Sequence, residues 1–350
     1  MLHPLLDAVV DHRGTDMLLT PGSEPLIRVD GQLQPTPGFE AFGPDVVPTI
    51  LDQLLDEDQR AQLEADRDID FAFSYGEHRF RANAFFERGH RALALRLMHN
   101  QIPSFEEIGL PQAVRDLTSL HQGLVLFTGP TGSGKSTSMA AIVDAINETR
   151  RCHIITIEDP IEYLHPNRAA MVHQREVGTD AKSFERALRA ALREDPDVVL
   201  VGEMRDIESI AITLTLAETG HLVLSSLHTN DAPQALDRIV DVFPPDGQAQ
   251  TRLQLASVLS AVVAQRLLPR VGGGLVAAYE VLIATPAVRN LIREGKTRQL
   301  RNAMQMGISE GNQSLEVALN SLVAAGDISL ETAVGAAFVP HEIEGNNPAA

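Results

Sequence analysis

An α/β fold in two domains is what this sequence predicts, and three observations carry the prediction. The chain has 350 residues, more than one domain of the ordinary size of about 100 to 200 residues. Four short apolar runs between residues 124 and 226 each end in polar residues and are followed by helical periodicity. Strands covered on both faces of a parallel sheet read this way, because they lose in/out alternation. Ahead of them, 68–74, 79–86 and 92–97 partly alternate apolar with polar residues, the pattern of antiparallel strands with one wet face.

The elements follow in order. A helix-like start at Leu2 leads into a Pro- and Gly-punctuated stretch from Pro21 to Pro44, and then a polar helix runs from about Pro48 to Ala65. With the three alternating strands these make a first domain, 1–98. Residues 99–119, with Pro103, Gly109 and Pro111, read as a linker. The runs Leu124–Thr128, Ile154–Ile157, Val198–Val201 and Leu222–Ser226 belong to a second domain, 120–340. Within it Met139, Ile142, Val143 and Ile146 fall at i, i+3, i+4 and i+7, one apolar helix face. The polar tail 341–350, with Gly345 and Pro348, is expected to fray.

Composition narrows the function. With 29 Lys and Arg against 47 Asp and Glu, the net charge is −18, which argues against a protein that grips phosphate backbones through clustered cations. The single cysteine, Cys152, excludes a disulfide framework and any multi-cysteine zinc or iron–sulfur site, and it fits a reducing cytoplasm. The N-terminus lacks the basic and long apolar regions of a signal peptide, and no apolar run reaches the roughly 18 residues of a membrane span. A soluble, cytoplasmic chain is expected, reaching a membrane only through a partner or a surface.

In open parallel sheets, ligands bind at the carboxyl ends of the strands. There Gly129-Pro130-Thr131-Gly132-Ser133-Gly134-Lys135-Ser136 matches G-x-x-x-x-G-K-[ST] between a predicted strand and a predicted helix. Glycines let backbone N–H groups converge on phosphate oxygens, and the helix start adds the positive end of its dipole. Lys135 is expected to be solvated and to reach the β- and γ-phosphates, and the Ser136 hydroxyl to ligate Mg²⁺. The segment through Thr137 is therefore read as binding a nucleoside triphosphate.

The second run ends in Glu158-Asp159-Pro160, and a carboxylate there could orient the attacking water. The third ends in Gly202-Glu203 where an aspartate is usual, so Glu203 is expected to serve Mg²⁺, directly or through water. Asp197, before that strand, reads as structural. His221 and His228 flank the fourth run, and His228, at its carboxyl end, could donate to a γ-phosphate oxygen.

Taken together, these residues resemble the secretion-type hexameric ATPases, and within them the PilT-like type IV pilus retraction (twitching motility) ATPases. The resemblance runs through Gly129–Thr137 as Walker A, Ile155–Glu162 as the Asp box, Asp195–Asp206 as Walker B and Thr219–Thr229 as the His box. Gln174–Gly178 and Ala187–Asp197 also read like the family. It implies a RecA-like P-loop NTPase core, a PAS-like N-terminal α/β domain, a homohexameric ring, and ATP with Mg²⁺ as cofactors. It implies further that Glu158 is the catalytic carboxylate, that Glu203 serves the magnesium, and that His221 and His228 lie near the γ-phosphate. Arg81 and Arg96, with Arg88 in reserve, would complete a neighbouring subunit's site. The implied partners are an inner-membrane pilus platform protein and other pilus motor ATPases, not nucleic acid, and the implied location is cytoplasmic at the inner membrane.

Two features select the retraction branch. One cysteine cannot build the paired-CxxC zinc insertion usual in assembly and secretion relatives. The block Pro286–Lys296 resembles the retraction ATPases' C-terminal signature. Val288, Leu291 and Ile292 form its apolar face, Arg289, Asn290, Arg293 and Glu294 are expected on the opposite face, and Arg289, Arg293 and Lys296 are expected to be free for a partner. A pilus-assembly or type II secretion ATPase of the same fold remains an alternative, as does an ATP-binding regulatory subunit of a pilus motor. A RecA-like nucleic-acid motor is disfavoured by the charge and by the lack of an aromatic-plus-basic stripe. The family's early Ser-Asp-Leu-His-Leu reads Thr15-Asp16-Met17-Leu18-Leu19 here, without the histidine.

Overall fold

The computed structural model describes residues 1–29, 31–76, 78–98 and 101–345. The chain divides into two compact units, Met1–Gln101 and Ile102–Ala350. In the first, β1 (Asp16–Leu19), β2 (Leu26–Val29), β3 (Gln32–Pro35), β4 (Asp68–Tyr75), β5 (His78–Glu87) and β6 (His90–Met98) form one antiparallel sheet in the order β3-β2-β1-β6-β5-β4. Leu5, Leu6 and Val9 of the Leu2–Asp11 helix and Ile50 of the Val46–Leu54 helix are buried in one cluster with Met17, Ile27, Phe80 and Leu95 from the sheet. The single polar helix expected from about Pro48 to Ala65 is two helices. Asp56 accepts the Gln59 N–H while the Gln59 side chain accepts the Asp56 N–H, and this capping box starts a new helix at Glu57.

The second unit holds β7 (Gly123–Thr128), β8 (His153–Glu158), β9 (Met171–Glu176), β10 (Val198–Val201), β11 (Leu222–Leu227), β12 (Leu259–Pro269) and β13 (Leu275–Ile283), ordered β13-β12-β7-β11-β10-β8-β9. All neighbours are parallel except the β12–β13 hairpin. Along β7, Leu124 and Leu126 face one core and Val125 and Phe127 the other, which is why the run is apolar throughout. Met139, Ile142, Val143 and Ile146 of the Lys135–Thr149 helix fill the second of these cores. The α/β class stands: six of the seven strands run parallel, so the carboxyl ends of the four expected runs lie at the same end of the sheet.

Residues 102–119, expected as part of a linker, are built into this unit: Leu110, Val114 and Leu117 are buried with β7 and the Lys135–Thr149 helix. Their apolar spacing outweighs the prolines and glycine between them. At the other end, Ile343 is buried and Asn320 donates to Glu342 O, so 341–345 is held in place, and 346–350 lie outside the described residues. Among the described residues, no helix is long and apolar enough to cross a membrane.

Candidate nucleotide-binding and catalytic site

The carboxyl end of β7 runs into Gly129–Gly134 and then the Lys135–Thr149 helix. Gly129 (φ +147°) and Gly134 (φ +87°) hold backbone conformations that L side chains rarely adopt. A Cβ at Gly129 would lie 2.3 Å from Gln265 O, and one at Gly134 2.6 Å from the Gln265 amide nitrogen, so the glycines also admit β12 to the back of the loop. Gln265 completes that support by accepting the Ser138 hydroxyl at 2.9 Å.

Lys135 departs from expectation. It is only 7% exposed, and its Nζ donates to Gly129 O (2.9 Å) and Pro130 O (3.0 Å). The loop wraps around its own lysine and so satisfies the buried ammonium. Burial lowers the Lys135 pKa, and the charges of Glu162 and Glu203 act in the opposite direction.

Around this loop a cleft of ≈ 170 Å³ is lined by Lys135, Ser136, Glu158, Glu162, Glu203 and His228, among others. Glu158, the last residue of β8, accepts at Oε1 from the Thr156 hydroxyl (2.7 Å) and the Gln174 amide (3.3 Å). Burial pushes its carboxyl up to about 7, although those two hydrogen bonds pull it down. A carboxyl poised there can exchange a proton near neutrality. The following loop carries Tyr163, whose hydroxyl shares a 2.9 Å hydrogen bond with that of Thr137.

Glu203 follows β10 and is largely covered. It pairs with Arg205 and lies 3.4 Å from His228 Nε2. β11 brings His228 to this edge, and the Thr128 hydroxyl donates to Thr229 O at 2.6 Å, tying the ends of β7 and β11 together. Asp197 accepts the His153 N–H at 2.8 Å, the structural role expected of it.

The chain as a whole has known relatives. The profile of the Type II/IV secretion system protein family matches residues 57–273. The type IV pilus retraction ATPase PilT of Pseudomonas aeruginosa is 45% identical over 327 residues, covering 93% of this chain and 95% of that protein. The chain belongs to the Type II/IV secretion system protein family. Within that family it is PilT-like. A twitching motility protein of Neisseria gonorrhoeae is 44% identical over 88% of this chain and 83% of its own length. The crystal structure of the pilus retraction motor PilT with bound ADP superposes with a TM-score of 0.91 at 46% identity, covering 97% of this chain and 98% of that one.

The remaining family-like positions are placed less uniformly. His221 lies at the amino end of β11, away from the loop. Six residues of strand separate it from His228, about 20 Å at the usual rise, so the two histidines cannot share one edge of the sheet within a chain. Its imidazole instead donates to Leu216 O at 2.8 Å, at the end of the Ile207–Glu218 helix. Arg81 and Arg96 lie directly opposite one another on β5 and β6. Arg96 binds Asp16 at 2.7 Å and Arg81 stands 4.0 Å from Asp70. Burial works against it, yet the Arg96 and Thr15 hydrogen bonds hold the Asp16 carboxyl below its ordinary range. Leu18 lines the same groove. Arg88 projects from the β5–β6 turn, fully open to solvent apart from a 3.8 Å pairing with Glu87.

In the Pro286–Arg293 helix, Val288 and Ile292 are buried and Leu291 half-buried, as its spacing predicts. Arg289 is not free. It donates to Ala284 O, Ala256 O and Ser257 O at 2.7–3.0 Å, satisfying carbonyls at the end of the Pro245–Val258 helix. Arg293, Asn290 and Glu294 stay exposed. Sequence reasoning gave no role to Glu162, Tyr163, Gln174 or Arg205. The alternation of Gln174 and Glu176 on one side of β9 was the signal that could have exposed part of this set.

Proposed function

We propose that this chain is an ATP-hydrolysing motor that retracts a type IV pilus, working as a homohexamer against an inner-membrane platform protein. The observation that carries the reading is the convergence of Lys135, Ser136, Glu158, Glu203 and His228 on one cleft in a PilT-like chain. Gly129 to Thr137 hold the phosphates of ATP, with Lys135 exchanging loop carbonyls for phosphate oxygens. Glu158 orients the attacking water and takes its proton, and His228 donates to the γ-phosphate. The Ser136 hydroxyl and the Glu203 carboxylate are hard oxygen donors in the same cleft and fit Mg²⁺. Among the described residues no group of three His, Cys, Asp or Glu could hold a metal, and Mg²⁺ typically takes only one or two protein oxygens beside phosphates and water. When bound it would neutralise phosphate charge. Arg81 and Arg96 act on a neighbouring subunit's nucleotide.

Deleting the gene tests this reading. Smooth, hyperpiliated, non-twitching cells that recover with the wild-type gene and not with Lys135→Ala support retraction, whereas unpiliated cells would assign the motor to assembly.

A further inference from the structure

Gln174 stands on the edge strand β9 beside Thr156 of β8, and the backbone alone makes the pairing of these strands. Its side chain is therefore spare, as far as the sheet is concerned, yet it has three partners. The amide nitrogen donates to Tyr163 O (2.8 Å) and Glu158 Oε1 (3.3 Å), and the amide oxygen accepts the His165 N–H (2.8 Å). Carbonyl and carboxylate oxygens accept and a backbone N–H donates, so only one orientation of the amide satisfies all three. An apolar residue would satisfy none of them, and a glutamate only His165.

The loop after β8 has other anchors. Glu176 accepts the Ile161 N–H at 3.0 Å, and Tyr163 reaches Thr137. What Gln174 adds is a link between this loop and the carboxylate of Glu158. With the Thr156 hydroxyl it places two donors on the same oxygen, Oε1, and two donors on one oxygen fix the rotation of the carboxyl group.

We propose that Gln174 is a positioning residue for hydrolysis, holding the Glu158 carboxylate in one orientation towards the cleft. The proposal rests on the reading of Glu158 as the catalytic carboxylate. Displacing a reacting group by about 1 Å can cost about a hundredfold in rate, so the amide matters to turnover without touching the nucleotide.

The test is a double-mutant cycle on the full chain. Turnover of ATP and affinity for a fluorescent ATP analogue are measured for wild type, Gln174→Met, Glu158→Gln and the double variant. Gln174→Met should lower kcat by roughly tenfold to a hundredfold, leave nucleotide affinity within about twofold, and cost nothing further once Glu158 is Gln. Gln174→Glu keeps the acceptor for His165 and loses both donor bonds. It should behave alike, and it decides the matter if the methionine variant does not fold. An equal fold-loss from the Gln174 change in both backgrounds would overturn the proposal, leaving a loop anchor only, and wild-type kcat in the Gln174 variants would overturn it outright. Wild-type turnover by Glu158→Gln alone would instead refute the role of Glu158, and the positioning role with it.

Discussion

Replacing Glu158 by glutamine should do two opposite things, and the structure sets the size of one of them. The carboxyl is held at about 7 against an ordinary 4.5 because burial disfavours its charge. At about 1.4 kcal/mol for each pH unit, ionised Glu158 costs the folded state on the order of 3 kcal/mol. A carboxyl whose folded pKa lies above its unfolded value exacts nothing while both states are protonated. The penalty grows as pH rises through 4.5 and is complete above about 7. Glutamine keeps the shape and carries no charge, so Glu158→Gln should gain less than about 1 kcal/mol over wild type at pH 5 and up to about 3 kcal/mol at pH 8. For a unit of this size the latter corresponds to a rise of roughly 6–12 °C in Tm. Turnover should meanwhile fall by about 10² to 10⁴, the usual worth of a general base. Thermal melts of the nucleotide-free protein at the two pH values, beside an ATPase assay, measure both. A stability difference that does not change with pH would mean that the carboxyl is solvated and unperturbed, and normal turnover would remove it from the chemistry.

Three further outcomes follow from the same geometry. Glu203→Gln should raise the Mg²⁺ concentration needed for half-maximal turnover, because it weakens an oxygen donor, whereas Glu158→Gln should not. A magnesium titration in which the two variants coincide would contradict that division. Mixing Arg96→Ala subunits with Lys135→Ala subunits should restore part of the activity that each lacks alone, since a mixed interface can pair one intact loop with one intact arginine. No recovery in rings shown by mass photometry to be mixed would place Arg96 outside the neighbour's site. Arg293→Ala should leave purified ATPase activity near wild type and fold stability within about 0.5 kcal/mol, yet abolish twitching in cells. Retention of both activities, or loss of both, would make that helix a packing element alone.

Legibility in the sequence followed the range of the interactions. β7, β8, β10 and β11 stood out because burial on both faces makes a continuous apolar run, and β4 to β6 because one wet face imposes alternation. The Walker loop was readable because its chemistry lies within a few consecutive residues. By contrast, the break at Asp56 needed a capping box in place of a proline, and the polar edge strand β9 offered little apolar signal. Leu110 and Val114 were masked by the prolines around them. Lys135 is buried where the motif predicts a solvated side chain, because spacing does not say which way a loop's carbonyls turn. The family resemblance alone puts His221 beside the γ-phosphate, whereas its place before the fourth run, at the amino end of β11, sets it apart from His228. The pairs Thr137–Tyr163 and Glu158–Gln174 join positions that are distant in the chain, and the polar alternation of Gln174 and Glu176 is the trace of the second pair in the sequence.

The Thr137–Tyr163 bond joins two hydroxyls, and either can be its donor. Bonds between a fixed donor and a fixed acceptor break when the electrostatics around them reverse, but this one can invert. If Thr137 donates its hydrogen bond to an incoming phosphate oxygen, the phenol can rotate and donate to the threonine oxygen in turn, and when that phosphate oxygen leaves, the pair can relax back. The helix that follows the phosphate loop and the segment that carries Tyr163 are thus linked by a bond that does not depend on which hydroxyl donates.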